Sequence, residues 1–496
     1  MQTVERVTAV DGGRALLRHL IELRGQVVAE GRELVDEWRP SLHRRAFLPS
    51  AVNLAHYIAL RRRDLRELQE ALMPLGLSSL GRCEARVLAN LDAVIVSLAR
   101  IVGAEPDLQS IRYPRPAAFY RGNRLLRYQT EAALGPTVGR RQVRIMVTVS
   151  SAEAHDYGFV RELVQRGTDI VRINCAHDTP EAWTVMATNT RLAAHETGRP
   201  CRVLIDLQGP RARTGRVHGT GSEVRVGPGD YVRMVAGAPE RAPDPPQVEC
   251  SLPTALAQLE VGCEVCIDEG RIRLVCEQTD SRSALLRATR VESKGVIRRD
   301  KGLNFPDTAL RLDALTAKDL ADLDTVARLA DIVGYSFVQS AADVARLQDE
   351  LARLVPDRQL ALAAKIETAL AVRNLPEIIV QAAGRQPLTV MTARGDLAVE
   401  IGFVRLAEIQ EEILWLCEAA HVPVIWATQV LDSFVHKGTH SRAEITDAAM
   451  AERAECVMLN KGPFVLDAVG ILDDVLGRME AHQVKKTSRL RALHSW

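Results

Sequence analysis

The chain has 496 residues, 47% hydrophobic and 26% charged, which is enough for two or three globular domains. Lys and Arg total 64 against 63 Asp and Glu, a balance that argues against a nucleic-acid or membrane-surface binder, which would carry a basic excess. No apolar run is long enough to span a bilayer, the first residues lack the apolar stretch of a signal peptide, and nine cysteines scattered through apolar runs fit free thiols in a reducing cytoplasm.

Residues 1–141 read as a helical region followed by a linker. Leu16/Leu17, Leu20/Ile21, Val27/Val28 and Leu34/Val35 keep helical spacing. So do Leu54, Tyr57/Ile58, Leu65, Leu68 and Leu72, and again Val87, Leu91, Val94/Ile95, Leu98 and Ile101/Val102. Residues 103–141, with Pro106, Pro114, Pro116 and Pro136, read as a connecting segment. From 142 to 215 strand-like and helical runs alternate: Arg144–Ser150, Asp169–His177 and Arg202–Leu207 are strand candidates. Residues 216–300 switch to short alternating runs with Gly and Pro, which predicts a small inserted β domain. The α/β rhythm resumes over 301–482 with Asp331–Val338, Leu360–Glu367, Leu388–Leu397, Val422–Val430 and Glu455–Asn460, and 483–496 is left as a C-terminal tail. Eight strands, each with a helical partner, predict a closed (β/α)8 TIM barrel with an inserted β-barrel lid, preceded by the all-α region. Cys263-x-x-Cys266 has metal-like spacing but no second pair, and reads as a strand running into a turn.

Chemistry in such barrels sits at the C-terminal strand ends, and there the polar residues gather: Arg172 and Asn174, Asp206, Lys365 and Glu367, Asp396, Thr428 and Gln429. Period 2 puts Lys365 and Glu367 on one face of their strand. Taken singly, each strand reads as a Lys–Glu salt bridge or a capping Asp. Together, Glu367 and Asp396 are two hard carboxylates suited to Mg²⁺, with an ammonium beside them suited to a phosphoryl group or a developing anion.

Six motifs give the chain a resemblance to the pyruvate kinase family over roughly residues 142–480. Arg172-Ile173-Asn174-Cys175-Ala176-His177 resembles R-L-N-F-S-H, and Asp206–Gly215 (DLQGPRARTG) resembles D-T-K-G-P-E-I-R-T-G. Lys301–Pro306 (KGLNFP) resembles K-G-V-N-L-P, Lys365-Ile366-Glu367 resembles K-I-E, Ala393–Leu397 matches A-R-G-D-L, and Ala427-Thr428-Gln429 matches A-T-Q. The resemblance implies phosphoryl transfer from phosphoenolpyruvate to ADP in a cytoplasmic glycolytic enzyme, with Mg²⁺ or Mn²⁺ on Glu367 and Asp396. It implies that Lys365, Arg172 and Arg213 act on the phosphoryl group. Backbone N–H groups after Ala393 and Arg394, at Gly395, would receive the carboxylate together with the Thr428 hydroxyl. Asn174, His177 and Lys301 would face the nucleotide (ADP or ATP). A homo-oligomer is expected, with no nucleic-acid or membrane partner.

The departures matter as much. The family's Ser and Thr side chains at its monovalent-cation site are Ala176 and Leu207 here, and its nearby Glu is Arg211. Asn174, Asp206 and Arg211 are the remnant of that site, and a guanidinium close to Asp206 is expected to replace K⁺, which would not be required. The family's L-S-G-E-T-A-x-G is replaced by Leu459-Asn460-Lys461-Gly462-Pro463, without its hydroxyl. No counterpart of the family's C-terminal regulatory domain is expected, and the helical block is expected to dock on the barrel or on a partner subunit. Two other readings keep the same barrel: Mg²⁺–enolate chemistry on a pyruvate-like acid, such as an aldol or decarboxylation step, and a non-catalytic regulatory homologue.

Overall fold

The computed structural model describes residues 9–489 and 491, apart from 109, 140, 219–222, 239–243, 293–294 and 309. Eight parallel strands close a barrel in simple chain order: β1 (Arg144–Thr148), β2 (Ile170–Asn174), β3 (Arg202–Asp206), β4 (Ile332–Tyr335), β5 (Ala361–Ile366), β6 (Leu388–Ala393), β7 (Val424–Ala427) and β8 (Cys456–Leu459), with β8 returning to β1. Nearly every strand residue is buried, because helices cover the outside while side chains fill the inside. That is why these strands read as continuous apolar runs. Helices are started by side-chain caps that accept first-turn N–H groups, among them Thr179, Thr316, Ser340, Thr368 and Ser441. No helix among the described residues is long and apolar enough to cross a membrane.

The insert between β3 and β4 is a mostly antiparallel seven-stranded sheet running from Thr214–His218 to Leu303–Asn304, so it takes in residues on both sides of the expected 216–300. It has its own core around Val232, Met234, Val265, Leu274 and Leu286. Cys266 is buried on the strand Glu264–Ile267 of this sheet. Two chain segments join insert to barrel, and they touch through a bridge between Arg213 and Gly302.

The N-terminal block forms helices over Ala9–Trp38, Leu48–Arg61, Arg66–Leu72 and Val87–Ile101. The run from Leu54 to Leu72, expected as one helix, is broken between Arg62 and Leu65, where Asp64 turns back to bond Arg66 N–H and its guanidinium. The block packs on the flank of the barrel. Ser41 Oγ donates to Gln381 at 2.7 Å, Asn53 Nδ2 donates to the Ala419 carbonyl at 2.8 Å, and His421 joins Ser50 Oγ at 2.9 Å and the Ala85 carbonyl at 3.0 Å. Burial lowers the His421 pKa to about 4, so the ring makes these contacts as a neutral group. Gly384 has no side chain because a Cβ would collide with the Ser41 carbonyl.

The expected linker contains a helix, Arg121–Leu134, whose end reaches the underside of the barrel. Ala133 and Leu134 share a cluster with Met146, Ile170, Leu204, Ile332 and Ala361, and so stopper the barrel floor. The expected tail begins with a hairpin, Gln483–Val484 with Thr487–Ser488; residues 490 and 492–496 lie outside the described residues. At its turn Lys485 pairs with Glu455 on the barrel and Lys486 pairs with Glu84 on the helical block, with the Lys486 ammonium 4.7 Å from the centre of the Trp415 ring. One short turn thus grips both bodies.

Candidate functional site

The C-terminal strand ends open into a cleft with about 120 Å³ of open space, lined by side chains from seven of the eight strands or the loops that follow them. Parallel register sets the neighbours. Asp206 ends β3 level with Asn174 of β2 and Gly334 of β4. Gly334 has to lack a side chain, since a Cβ there would collide with Asp206 Oδ1. Asp206 is wholly buried, and its Oδ2 accepts from Arg172 Nε at 2.7 Å and Nη2 at 2.6 Å. Arg172 also donates to Thr148 Oγ1 at 3.0 Å. Burial opposes the Asp206 charge, but Arg172 and then Lys365 outweigh it and hold the carboxyl below its ordinary range.

Lys365 and Glu367 emerge side by side from β5. Lys365 Nζ donates to Ser336 Oγ at 2.7 Å and lies 3.2 Å from Glu367 Oε1 and 3.6 Å from Asp206 Oδ2. Ser336 in turn donates to the Leu207 carbonyl at 2.7 Å, so the ammonium is held at a fixed height. Glu367 Oε2 accepts the Phe337 N–H at 2.6 Å, from a residue with φ of +56°. Burial pushes the Glu367 carboxyl up, Lys365 pulls it down, and the like charge of Asp396 pushes it up again. Two carboxylates therefore face one cleft, and the repulsion between them favours added positive charge at Glu367.

Asp396 lies in the first turn of the helix Arg394–Ile401, which β6 enters directly. Its Oδ1 is 2.8 Å from Arg211 Nη2. The Thr428 hydroxyl accepts the Gly395 N–H at 2.8 Å and donates to the Ala427 carbonyl at 2.7 Å, from a backbone with φ of +66°. The Arg394 side chain points away from the cleft. It donates to Asp447 and to the carbonyls of Ala427 and Thr428, and lies over the Trp426 ring, tying the loops after β6 and β7 together. Ala393 and Gly395 stand beside Thr428 where β6 becomes helix.

Asn174, His177, Arg213 and Ala176 line the opposite rim. Asn174 Oδ1 accepts the Ala176 N–H at 3.0 Å. Burial lowers the His177 pKa, and the charges of Lys461 and Arg213 lower it further, so the replaced last loop brings an ammonium toward this ring. Arg213 bonds the carbonyl of Asp300 at 3.2 Å. Lys301 is not brought into the cleft: it is turned to the insert, where Nζ meets Asp268 Oδ1 at 3.0 Å.

One expectation is corrected. Arg211 does not pair with Asp206, whose charge is already met by Arg172 and Lys365; it pairs with Asp396, the other side of the cleft. Sequence reasoning also passed over Thr148, Ser336, Phe337 and Asp447. Only the serine and threonine, at or just past strand ends, carried a signal of their own.

The donor set fits a hard divalent ion. Glu367 and Asp396 offer carboxylate oxygens into one cleft, the second oxygen of Asp396 makes no hydrogen bond among the described residues, and Glu367 sits where added positive charge is favoured.

The family described as pyruvate kinase, barrel domain, matches residues 140–464. A pyruvate kinase of Methylorubrum extorquens is 32% identical over 347 residues, 68% of this chain and 69% of that protein. One of Geobacillus stearothermophilus is 31% identical over 69% of this chain, which spans 57% of that longer protein. One of Mycobacterium tuberculosis is 31% identical over 68% of this chain and 70% of its own length.

Proposed function

The chain belongs to the pyruvate kinase family, and on that premise we propose that it transfers a phosphoryl group from phosphoenolpyruvate to ADP, with Mg²⁺ on Glu367 and Asp396 and without need of K⁺. The observation that carries the reading is the convergence of Lys365, Arg172, Glu367 and Asp396 on one cleft at the strand ends. Such transfer is mostly positioning and charge stabilisation, and the residues present suit that task.

A divalent ion, when bound, neutralises oxygen charge on the phosphoryl donor and the enolate. The rest falls to the chain. Arg172, anchored on Asp206 and Thr148, has a fixed edge to offer the transferring phosphoryl. Lys365, set by Ser336 and Glu367, stabilises charge that builds between the phosphoryl and the enol oxygen. The first turn of the helix from Arg394, with Thr428, receives the substrate carboxylate, where N–H groups and the helix dipole favour an anion. Arg213 supports the phosphoryl group from the opposite rim, Asn174 and His177 face the nucleotide, and Lys301 reaches it if the insert closes and Asp268 lets go. Ser336 and Thr428 are the hydroxyl side chains lining the cleft among the described residues, and Thr428 is the one beside the carboxylate end. It takes the place of the hydroxyl missing from Leu459–Pro463 as the local proton source.

K⁺ independence is supported by Ala176 and Leu207, which offer no side-chain oxygen, and by a guanidinium already inside the cleft at Arg211. The test is a coupled assay with phosphoenolpyruvate, ADP and Mg²⁺, run in K⁺ and in tetramethylammonium at equal ionic strength. ADP-dependent pyruvate formation at similar rates in both salts is expected. Strong K⁺ activation would overturn the cation assignment. Mg²⁺-dependent oxalate binding without ADP turnover would favour the enolate reading, to which the altered last loop points.

A further inference from the structure

A second cavity lies where the insert joins the barrel, with about 190 Å³ of open space. Its walls come from parts that shift relative to one another if the insert moves. Leu303, Phe305 and Leu310 come from the returning limb of the insert, Pro210 from the loop after β3, Phe337 from the loop after β4, and Leu370 from the short helix Ala369–Arg373 that follows β5. These walls are apolar, and Gln339 and Thr368 add polar groups between them. Into them projects Glu400, from the last turn of the helix that carries Asp396. Among the described residues its one side-chain partner is Asn304 Nδ2, at 3.5 Å, with the Phe305 N–H as a backbone donor. Thr308, also on the wall, has a buried Oγ1 with no hydrogen-bond partner among the described residues. Of the other charges facing the cavity, Asp307 accepts the Glu264 N–H at 3.1 Å, and Arg373 is exposed at the rim.

A carboxylate in an apolar enclosure with one long side-chain hydrogen bond lacks compensation, and burial raises the Glu400 pKa to about 7. A metal ion would find Glu400 as the one carboxylate set among apolar walls, with the exposed Asp307 turned to the Glu264 N–H and the Arg373 cation at the rim, which is a poor donor set. An alkylammonium ion suits both halves: three N–H donors for Glu400 and Thr308, and a compact apolar body for the walls. We propose that this cavity binds a small alkylammonium ligand and that its occupancy fixes the angle of the insert. The link to the cleft is short. Phe337 lines the cavity while its N–H holds Glu367, Asn304 belongs to the insert sheet, and Glu400 shares a helix with Asp396. The proposal concerns binding and stands whether or not the phosphoryl-transfer reading holds.

Isothermal titration of the full chain with isobutylammonium chloride tests it, with isobutanol as the neutral isostere. One-to-one saturable binding is expected, at least about tenfold tighter for the amine. Glu400→Gln should weaken the amine by about tenfold or more and leave isobutanol unchanged, and Leu370→Trp, which fills the cavity from a different wall, should remove both. Hydrogen exchange over residues 302–306 should slow when the amine is bound. Absence of saturable binding, equal affinity for amine and alcohol, or an unchanged amine affinity in Glu400→Gln would overturn the site. Binding without slowed exchange at 302–306 would overturn its hold on the insert.

Discussion

Replacing Arg211 with methionine should tighten divalent-ion binding while slowing turnover. Arg211 Nη2 and Asp396 Oδ1 are 2.8 Å apart, with the two side chains 32% and 13% exposed. Two unit charges at that separation attract by about 1.5 kcal/mol at the dielectric of water and about 6 kcal/mol at an effective dielectric of 20. Part exposure and the desolvation already suffered by both groups bring the net worth of such a pair to about 1–2 kcal/mol. A metal ion on Asp396, whether it takes both oxygens or the unbonded one, competes with the guanidinium for the carboxylate charge, so removal of the pair returns up to the same amount to metal affinity. The expected gain is about 5- to 30-fold. It is read by titration calorimetry with Mn²⁺ in the absence of substrates, so that catalysis does not enter. Unchanged or weaker Mn²⁺ binding in Arg211→Met would refute the reasoning, since the guanidinium would then not be competing for Asp396. If the guanidinium also stands in for K⁺, the same variant should gain a K⁺ requirement in the coupled assay.

Asp396→Asn and Glu367→Gln should each lower divalent-dependent turnover by about a hundredfold or more with the circular dichroism spectrum unchanged; near-wild-type rates in either would remove that residue from the metal site. Lys365→Met should keep Mn²⁺ affinity within a few-fold yet cut turnover by about 10²–10³, and unchanged turnover would exclude a role in charge stabilisation. Burial raises the pKa of Glu418 and of Glu452 to about 7, at the junction of helical block, barrel and C-terminal hairpin. The folded state therefore holds these protons more tightly than the unfolded chain. The stability this gives is fully present below the ordinary glutamate pKa and lost as pH rises through about 7. Urea unfolding of the full chain should thus weaken between about pH 5.5 and about pH 8, and Glu418→Gln with Glu452→Gln should flatten that dependence. An identical pH profile in the double variant would show that these groups do not drive it.

The barrel was legible because its strands are buried on both faces, so apolar runs ending in polar residues mark each strand and its active end. Lys365 and Glu367 could be placed together from period 2 alone. The partner of Arg211 could not be read, because Asp396 is remote in sequence and nothing local distinguishes it from Asp206 as an acceptor. The helix Arg121–Leu134 escaped notice for a different reason. Its buried face is Gly122, Gln129, Thr130, Ala133 and Leu134, which has almost no apolar periodicity, and prolines lie on both sides. The break between Arg62 and Leu65 was hidden because the apolar spacing runs straight across it, and only Asp64, as a local hydrogen-bonding residue, hints at the turn. Glu400 drew no attention since a glutamate near a helix end is ordinary on a surface, and its burial depends on the insert folding over it.

The paired lysines at the hairpin turn also impose an order on assembly. Glu84 is made early and Lys486 only after the whole barrel has been synthesised between them. During synthesis the helical block can fold and touch the first barrel elements, but the grip that joins it to Glu455 is the last to close. Until then Glu84, nearly buried in the finished protein, has no ammonium beside it, which disfavours burying it. A nascent chain halted short of residue 485 would thus hold its block by the Ser41, Asn53 and His421 contacts alone, without the clasp that the hairpin adds.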